Sequence, residues 1–274
     1  MAESTEALSA VAGTVPRRRT GRGTVAVFPV LGLVAAIFVW WLVTSVLQLV
    51  HPASLPPPQD VLTALRVRRD ELFAATGATT LEILIGFLLS TLAGFLIGVS
   101  LAASRVVERM FSPLLVAVNA VPKVALGPLL VVSLGWGQRP ILTMVFLLCF
   151  FPIVLSTATG LTTTPADLAE LAQSLNATRW QAFRKVRLPA ALPQIFVGLK
   201  VGMPLAAIGA VIGEFQAGEG GLGYLIIQFS GVGDSATVWA AMGLIALVSV
   251  LLYFALTLIE RLLLPWVREA TSSR

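Results

Sequence analysis

The sequence predicts an all-α membrane protein of about six transmembrane helices with a polar hairpin on the cytosolic side. Three observations carry that prediction. Hydrophobic residues make up 57% of the chain, charged residues only 12%, and mean hydropathy is +0.89, whereas about a quarter of residues are charged in soluble domains. Six apolar runs each approach the roughly 20 residues that a helix needs to cross a bilayer. One stretch, from Thr164 to Pro193, is amphipathic and basic and interrupts the membrane pattern.

The elements follow in order. Residues 1–23 read as a disordered, basic cytosolic tail carrying Arg17, Arg18, Arg19 and Arg22. The next apolar run, Val25 to Val50, is too long for a signal-peptide core and reads as an uncleaved first span. A loop from His51 to Thr79 contains Pro56, Pro57 and Pro58. It then continues with Val61, Leu65 and Leu72 on one helical face, which predicts an interfacial helix. The second span, Thr80 to Ala103, carries Gly86, Gly94 and Gly98, a spacing suited to close helix approach. The third, Phe111 to Leu134, is broken by Pro113, Pro122 and Pro128, and the fourth, Ile141 to Gly160, contains Pro152. The fifth, Ala190 to Gly213, holds Pro204 with Gly198, Gly202 and Gly209, and the sixth runs from Val238 to Leu264. Prolines at mid-depth free backbone groups that lipid cannot satisfy, so spans three, four and five are expected to wall a pathway. Residues 24–267 thus read as one transmembrane domain, and 268–274 as a second cytosolic tail.

Charge sets the expected orientation. With the N-terminus inside, thirteen Lys and Arg fall in cytosolic segments and four, Arg66, Arg68, Arg69 and Arg139, fall outside. Both termini are therefore expected in the cytosol. The net charge of +5 follows the span ends, which assigns it to lipid and topology and not to nucleic acid. Trp40, Trp41, Trp136, Trp239 and Trp266 lie near span ends as an aromatic belt, and Lys200 in the fifth span is expected to snorkel. A single Cys149 and a single His51 exclude a disulfide framework and a Cys/His metal site within the chain.

The polar insert has the pattern of two short helices. Thr164, Pro165 and Asp167 form a helix start, and Leu168, Leu171, Ala172 and Leu175 recur at helical spacing. Asn176 stands where a left-handed C-terminal cap is needed. Thr178 and Gln181 signal a second start, Trp180 and Phe183 form its apolar face, and Leu188-Pro189 is expected to stop it. On these residues alone the hairpin suits either an anionic lipid surface or a groove on a cytosolic protein.

The segment resembles the cytoplasmic EAA loop of binding-protein-dependent ABC importer permeases, E-A-A-x3-G-x9-I-x-L-P. Here it reads Glu170-Leu171-Ala172, three residues, Asn176, nine residues, then Val186-Arg187-Leu188-Pro189. Leu171, Asn176 and Val186 depart from the pattern, but the spacing holds throughout. The wider resemblance covers Leu55 to Tyr224 and is to the nitrate, sulfonate and taurine type, through LPPPQDVL, TLEILIGF, VPKVALGPLL, FPIVLSTATG and GEGGLGYLI. Such permeases often carry Arg where this chain has Glu82.

The resemblance implies an inner-membrane permease that forms the path for a small solute such as nitrate, a sulfonate or taurine. It implies a second copy of the chain, an ATP-binding cassette ATPase seated on the loop (Glu170, Leu171, Ala172, Asn176, Val186, Leu188, Pro189), and an extracytoplasmic binding protein. ATP and Mg would bind the ATPase and no cofactor would bind this chain, consistent with the absence of a G-x4-G-K-[ST] phosphate loop. The expected location is a bacterial cytoplasmic membrane. Lys123, an intramembrane charge between Pro122 and Pro128, is either an attraction site for an anion or a snorkelling lysine. Glu214, with the glycine-rich run that includes Gly221 and Gly223, is either part of a gate or a solvated surface loop. A secondary transporter or channel is the alternative, separable because it would need no hairpin and no ATPase. A third reading, an intramembrane enzyme, is disfavoured because the spans lack a His-rich or paired-Asp site and Cys149 has no candidate base beside it.

Overall fold

A computed structural model describes residues 22–163, 172 and 174–265. The two tails and most of the stretch expected to form the first hairpin helix, including Thr164, Pro165, Asp167, Leu168, Glu170, Leu171 and Gln173, lie outside the described residues. The chain divides into two compact units, Met1–Pro58 and Gln59–Arg274. In the first unit, α1 (Arg22–Trp41) continues through a wider π turn, Leu42–Val46. The Trp40 indole N–H donates to the Pro56 carbonyl at 3.1 Å, which gives this belt residue a fixed polar partner.

The second unit is built from α2 (Pro58–Val67), α3 (Arg69–Ala103), α4 (Arg105–Ala120), α5 (Gly127–Leu134), α6 (Gln138–Thr162), α7 (Arg179–Ala182), α8 (Leu188–Ala217), α9 (Leu222–Gly231) and α10 (Ser235–Leu263). Among the described residues four helices are long and apolar enough to cross a membrane, and α4 with Lys123–Leu134 forms a fifth, bent by 78°. The bend falls at Pro122, where a proline cannot continue the hydrogen-bond ladder. The expected first span falls on α1 and its π turn, of which the stretch Val30–Val46 is apolar but shorter than a full span, so among the described residues the count of six is not confirmed.

α6 runs between α3 and α8, and glycine makes that possible. A Cβ added at Gly86 on α3 would lie 2.5 Å from Cγ1 of Val145, and one at Gly209 on α8 would lie 2.7 Å from the Val145 backbone Cα. Val145 is fully buried between them. Such close approach gains dispersion contacts that lipid tails cannot match, which is how helices associate without a hydrophobic driving force. Polar groups add cross-ties: Ser90 Oγ donates to the Gly86 carbonyl at 2.8 Å and reaches the Phe146 carbonyl at 3.3 Å, and the Cys149 thiol lies 3.3 Å from the Gly202 carbonyl.

Four sequence expectations are corrected. The second span does not begin at Thr80: helix α3 starts at Arg69, because Leu72, Ala75 and Thr79 gain a buried stripe against Leu222, Leu225 and Phe229 of α9 and Ala240, Ala241 and Leu244 of α10. Asp70 and Glu71 in its first turn favour that start by complementing the helix dipole. Val61 and Leu65 of α2 pack on the same cluster, so the expected interfacial helix covers protein. Leu188-Pro189 does not stop the second hairpin helix. The chain passes from α7 through a π turn, Phe183–Arg187, directly into α8, and the wider turn just before Pro189 accommodates a residue that has no N–H for the ladder. Lys200 does not snorkel: its ammonium holds both carboxylate oxygens of Glu260 on α10, at 2.7 and 3.0 Å, since a charge within a span is cheapest when paired.

At the start of α10, Asp234 accepts from the Thr237 N–H at 3.1 Å and the Thr237 hydroxyl at 2.7 Å, with Arg68 Nη2 at 3.4 Å. Burial pushes its carboxyl up, but the Thr237 hydrogen bonds and the Arg68 charge together outweigh this and hold it below the usual aspartate range. Its contribution to stability is therefore present above that range and is lost as pH falls. Arg68 in turn lies 4.2 Å over the Phe229 ring, joining α9 to the same corner.

The close approach can be tested with two alanine substitutions. Gly209→Ala would press on main chain that cannot move aside, whereas Gly231 has nothing within 4 Å of an added Cβ. In detergent, thermal unfolding should show Gly209→Ala destabilised by about 1–3 kcal/mol and Gly231→Ala nearly unchanged. Equal effects at the two sites would contradict the packing described.

Candidate functional site: a basic hairpin and a carboxyl cluster joined by one helix

The hairpin turn is built as its sequence requires. Asn176 adopts φ 51°, in the left-handed region, and the Ala177 N–H reaches back to the Ala172 carbonyl at 3.0 Å. That is the six-to-one closure of a Schellman cap. Thr178 and Gln181 then form a reciprocal capping box, with the Gln181 N–H on Thr178 Oγ1 at 3.3 Å and the Thr178 N–H on Gln181 Oε1 at 2.9 Å. Trp180 stacks on Phe183 with ring centroids 5.8 Å apart and remains largely exposed. Arg179, Arg184, Lys185 and Arg187 are exposed around it, so this face is basic and aromatic.

Of the loop residues singled out in the sequence, Ala172 is buried and Leu188 packs against the main core beside Phe183. Val186 is half-buried within the π turn and Pro189 lies in the first turn of α8. Glu170 and Leu171 lie outside the described residues. The turn is thus fastened to the membrane core at its α8 side. From Arg179 to Ala217 the chain is one helical element of 39 residues, about 58 Å long at 1.5 Å per residue.

The far end of that element carries the second feature. Glu214 is not a solvated surface residue: it is 1% exposed. Its Oε1 accepts from the Thr79 hydroxyl of α3 at 2.6 Å, and its Oε2 accepts from the Gly223 N–H of α9 at 2.5 Å. The Tyr224 N–H bonds the same carboxyl. Thr79 Oγ1 also accepts from the Leu222 N–H at 2.8 Å. Glu214 and Thr79 together cap the N-terminus of α9, satisfying donors that have no partner inside the helix and placing negative charge where the helix dipole favours it.

Gly221 and Gly223 explain themselves in this setting. Gly221 has φ +94°, and a Cβ there would strike the Glu214 carboxyl; a Cβ at Gly223 would lie 2.8 Å from Glu214 Oε2. Sequence reasoning placed Glu214, Gly221 and Gly223 together and the structure joins them, but it missed Thr79. A lone threonine in an apolar run carries no signal until its partner is known. Glu82, noticed only as a departure from a family pattern, is buried one turn along α3 and its carboxyl lies against that of Glu214.

Lys123 is elsewhere. It sits at the α4–α5 bend, half-buried, and its ammonium donates to the Asn119 side-chain oxygen at 2.7 Å and the Asn119 carbonyl at 3.2 Å. It thereby caps the C-terminal end of α4, a favourable place for a cation. No described hydrogen bond or ion pair links it to the Glu214 cluster.

The hairpin turn offers a direct test. Glycine pays no steric cost at a left-handed position, while a β-branched residue pays about 1–2 kcal/mol. Asn176→Gly should therefore keep or slightly raise the unfolding temperature of the purified chain, and Asn176→Val should lower it. A neutral Asn176→Val would mean that the turn does not hold this geometry.

Residues 90–269 match the family model described as binding-protein-dependent transport system inner membrane component. A probable ABC transporter permease of Haemophilus influenzae is 34% identical over 228 residues, covering 83% of this chain and 93% of the relative. The formylaminopyrimidine transport permease ThiX of Halalkalibacterium halodurans is 33% identical, with 87% and 95% covered. The taurine transport permease TauC of Escherichia coli is 30% identical, with 85% and 87% covered. Among solved structures, the inward-facing MetNI methionine ABC transporter has a like fold, with a TM-score of 0.58 at 22% identity over 69% of this chain and 96% of that one. The chain belongs to the binding-protein-dependent ABC importer permeases: it is an integral membrane transport subunit, and ATP hydrolysis in this family resides on a separate subunit.

Proposed function

We propose that two copies of this chain form the translocation path of a bacterial importer. The hairpin 164–189 of each copy, with Glu170, Leu171, Ala172 and Asn176 in its first helix and turn, seats on an ATP-binding cassette subunit that holds ATP and Mg. An extracytoplasmic binding protein delivers solute at the opposite face. Both termini and the hairpin lie in the cytosol, in keeping with thirteen Lys and Arg on that side against four on the other.

The observation that supports coupling most strongly is the continuous helix from Arg179 to Ala217. A hairpin on a separate, hinged segment would move without moving the path. Here the basic turn, the Leu188 contact with the core and the Glu214 cluster ride on one element, so displacement at the ATPase side is carried to the far end. The α9 cap then serves as the outer gate, with Glu214, Gly221 and Gly223 holding its closed position.

For the solute, permeases named for formylaminopyrimidine, taurine, aliphatic sulfonates and nitrate are all similar to this chain. Lys123 favours an anion among these. It places a positive charge at a broken span, where the polar backbone of the bend needs protein or water around it. Nitrate, a sulfonate or taurine fits that chemistry.

Reconstitution in liposomes with the ATPase and binding protein tests both parts. Asn176→Pro should abolish the stimulation of ATP hydrolysis by solute-loaded binding protein while leaving the chain folded; unimpaired stimulation would refute the coupling role. Lys123→Met should slow uptake of an anionic solute at least several-fold, and unchanged kinetics would remove Lys123 from the path.

A further inference from the structure

Glu82 and Glu214 pose a problem that the α9 cap does not solve. Glu214 already has protein donors on both oxygens, from Thr79 and from the backbone of α9. Glu82 is 7% exposed, its Oε2 is buried with no donor in reach, and what lies against its carboxyl is the Glu214 carboxyl. Two acceptors therefore face one another in a site screened from water. Ionised together they would repel with little dielectric to soften the repulsion, and neither would have the paired charge that buried ions need.

Among the described residues the surrounding elements supply no counter-charge. On α3 and its preceding turn, Arg68 is engaged by Glu71 and Asp234, Arg69 by Asp70. On α8, Lys200 is bound to Glu260 of α10 and stands four turns from Glu214. On α6 the only basic residue is Arg139, which is exposed, and α9 carries none; its Tyr224 is partly exposed. Among the described residues no ion pair reaches either carboxyl.

We propose that Glu82 binds a proton and donates it to the Glu214 carboxylate, so that the pair carries one negative charge and the proton is one of the ties holding α9 and α8 to α3. The O–H stays on Glu82 and the hydrogen bond runs to Glu214. Glu214 keeps the charge, because it is the member that faces the N-terminus of α9. Thr79, one turn before Glu82 on the same helix, ties α3 to Glu214 a second time and to the Leu222 N–H. The cluster then needs no basic side chain and no metal ion.

Infrared spectroscopy of the full-length permease, assembled with its ATPase and carrying 13C-labelled glutamate, reads the proton directly. The wild-type protein should show a label-sensitive carboxylic-acid carbonyl band near neutral pH, and Glu82→Gln should lack it by the equivalent of one acid per chain. Absence of such a band in the wild-type protein overturns the proposal without any variant. Thermal unfolding reads the donor role: Glu82→Gln, which keeps an N–H donor, should unfold several degrees above Glu82→Leu, which has the volume but no donor. Equal stability of the two would contradict that role. If, instead, replacing choline chloride with sodium chloride stabilised the wild type and not Glu82→Gln, the counter-charge would be a metal cation and the proton assignment would be wrong.

Discussion

Everything in this chain depends on how closely α8 approaches α6. Val145 fills the space between Gly86 and Gly209 with no room for a methyl group on either side. In lipid, where burying apolar surface gains little, that contact is what gives α8 a fixed bed. With the bed fixed, a 39-residue helical element from Arg179 to Ala217 keeps its two ends in register. One end is a basic, aromatic hairpin turn, and the other is a buried carboxyl that organises the next helix.

The two ends use opposite chemistry. At the hairpin, Asn176 and the Thr178–Gln181 box satisfy the backbone locally, and the basic side chains around them are exposed. At the far end, Glu214 is withdrawn from solvent and serves the backbone of α9 and the hydroxyl of Thr79. A mobile, solvated glutamate would exert no such hold. The Lys200–Glu260 pair fastens α10 to the middle of the same helix, so three separate polar contacts along α8 each secure a different neighbour.

Much of this was legible in the sequence. Gly86, Gly94 and Gly98 marked the helix face that meets α6, Pro122 marked the break in the third span, and the hairpin turn formed where Asn176 and Thr178 required it. Helix ends were less legible, for a physical reason. Whether the helix of the second span reaches back to Arg69 depends on Leu72 and Ala75 finding α9 and α10, and nothing local to that stretch records those partners. Likewise Leu188-Pro189 reads as a stop by local rules, yet the π turn just before it lets the helix continue. Pairings such as Thr79 with Glu214, 135 residues apart, are set by tertiary packing alone.

The central claim is that α8 moves as one piece between hairpin and carboxyl cluster. Spin labels at Arg184 and Phe215 on the same chain, in the reconstituted transporter, measure its length by pulsed electron resonance with and without a trapped nucleotide state. A rigid lever predicts one narrow distance that does not change, while labels on α9 of the two copies shift. A shortened or broadened Arg184–Phe215 distance on nucleotide binding, marking a bend at Pro193 or Pro204, would contradict it.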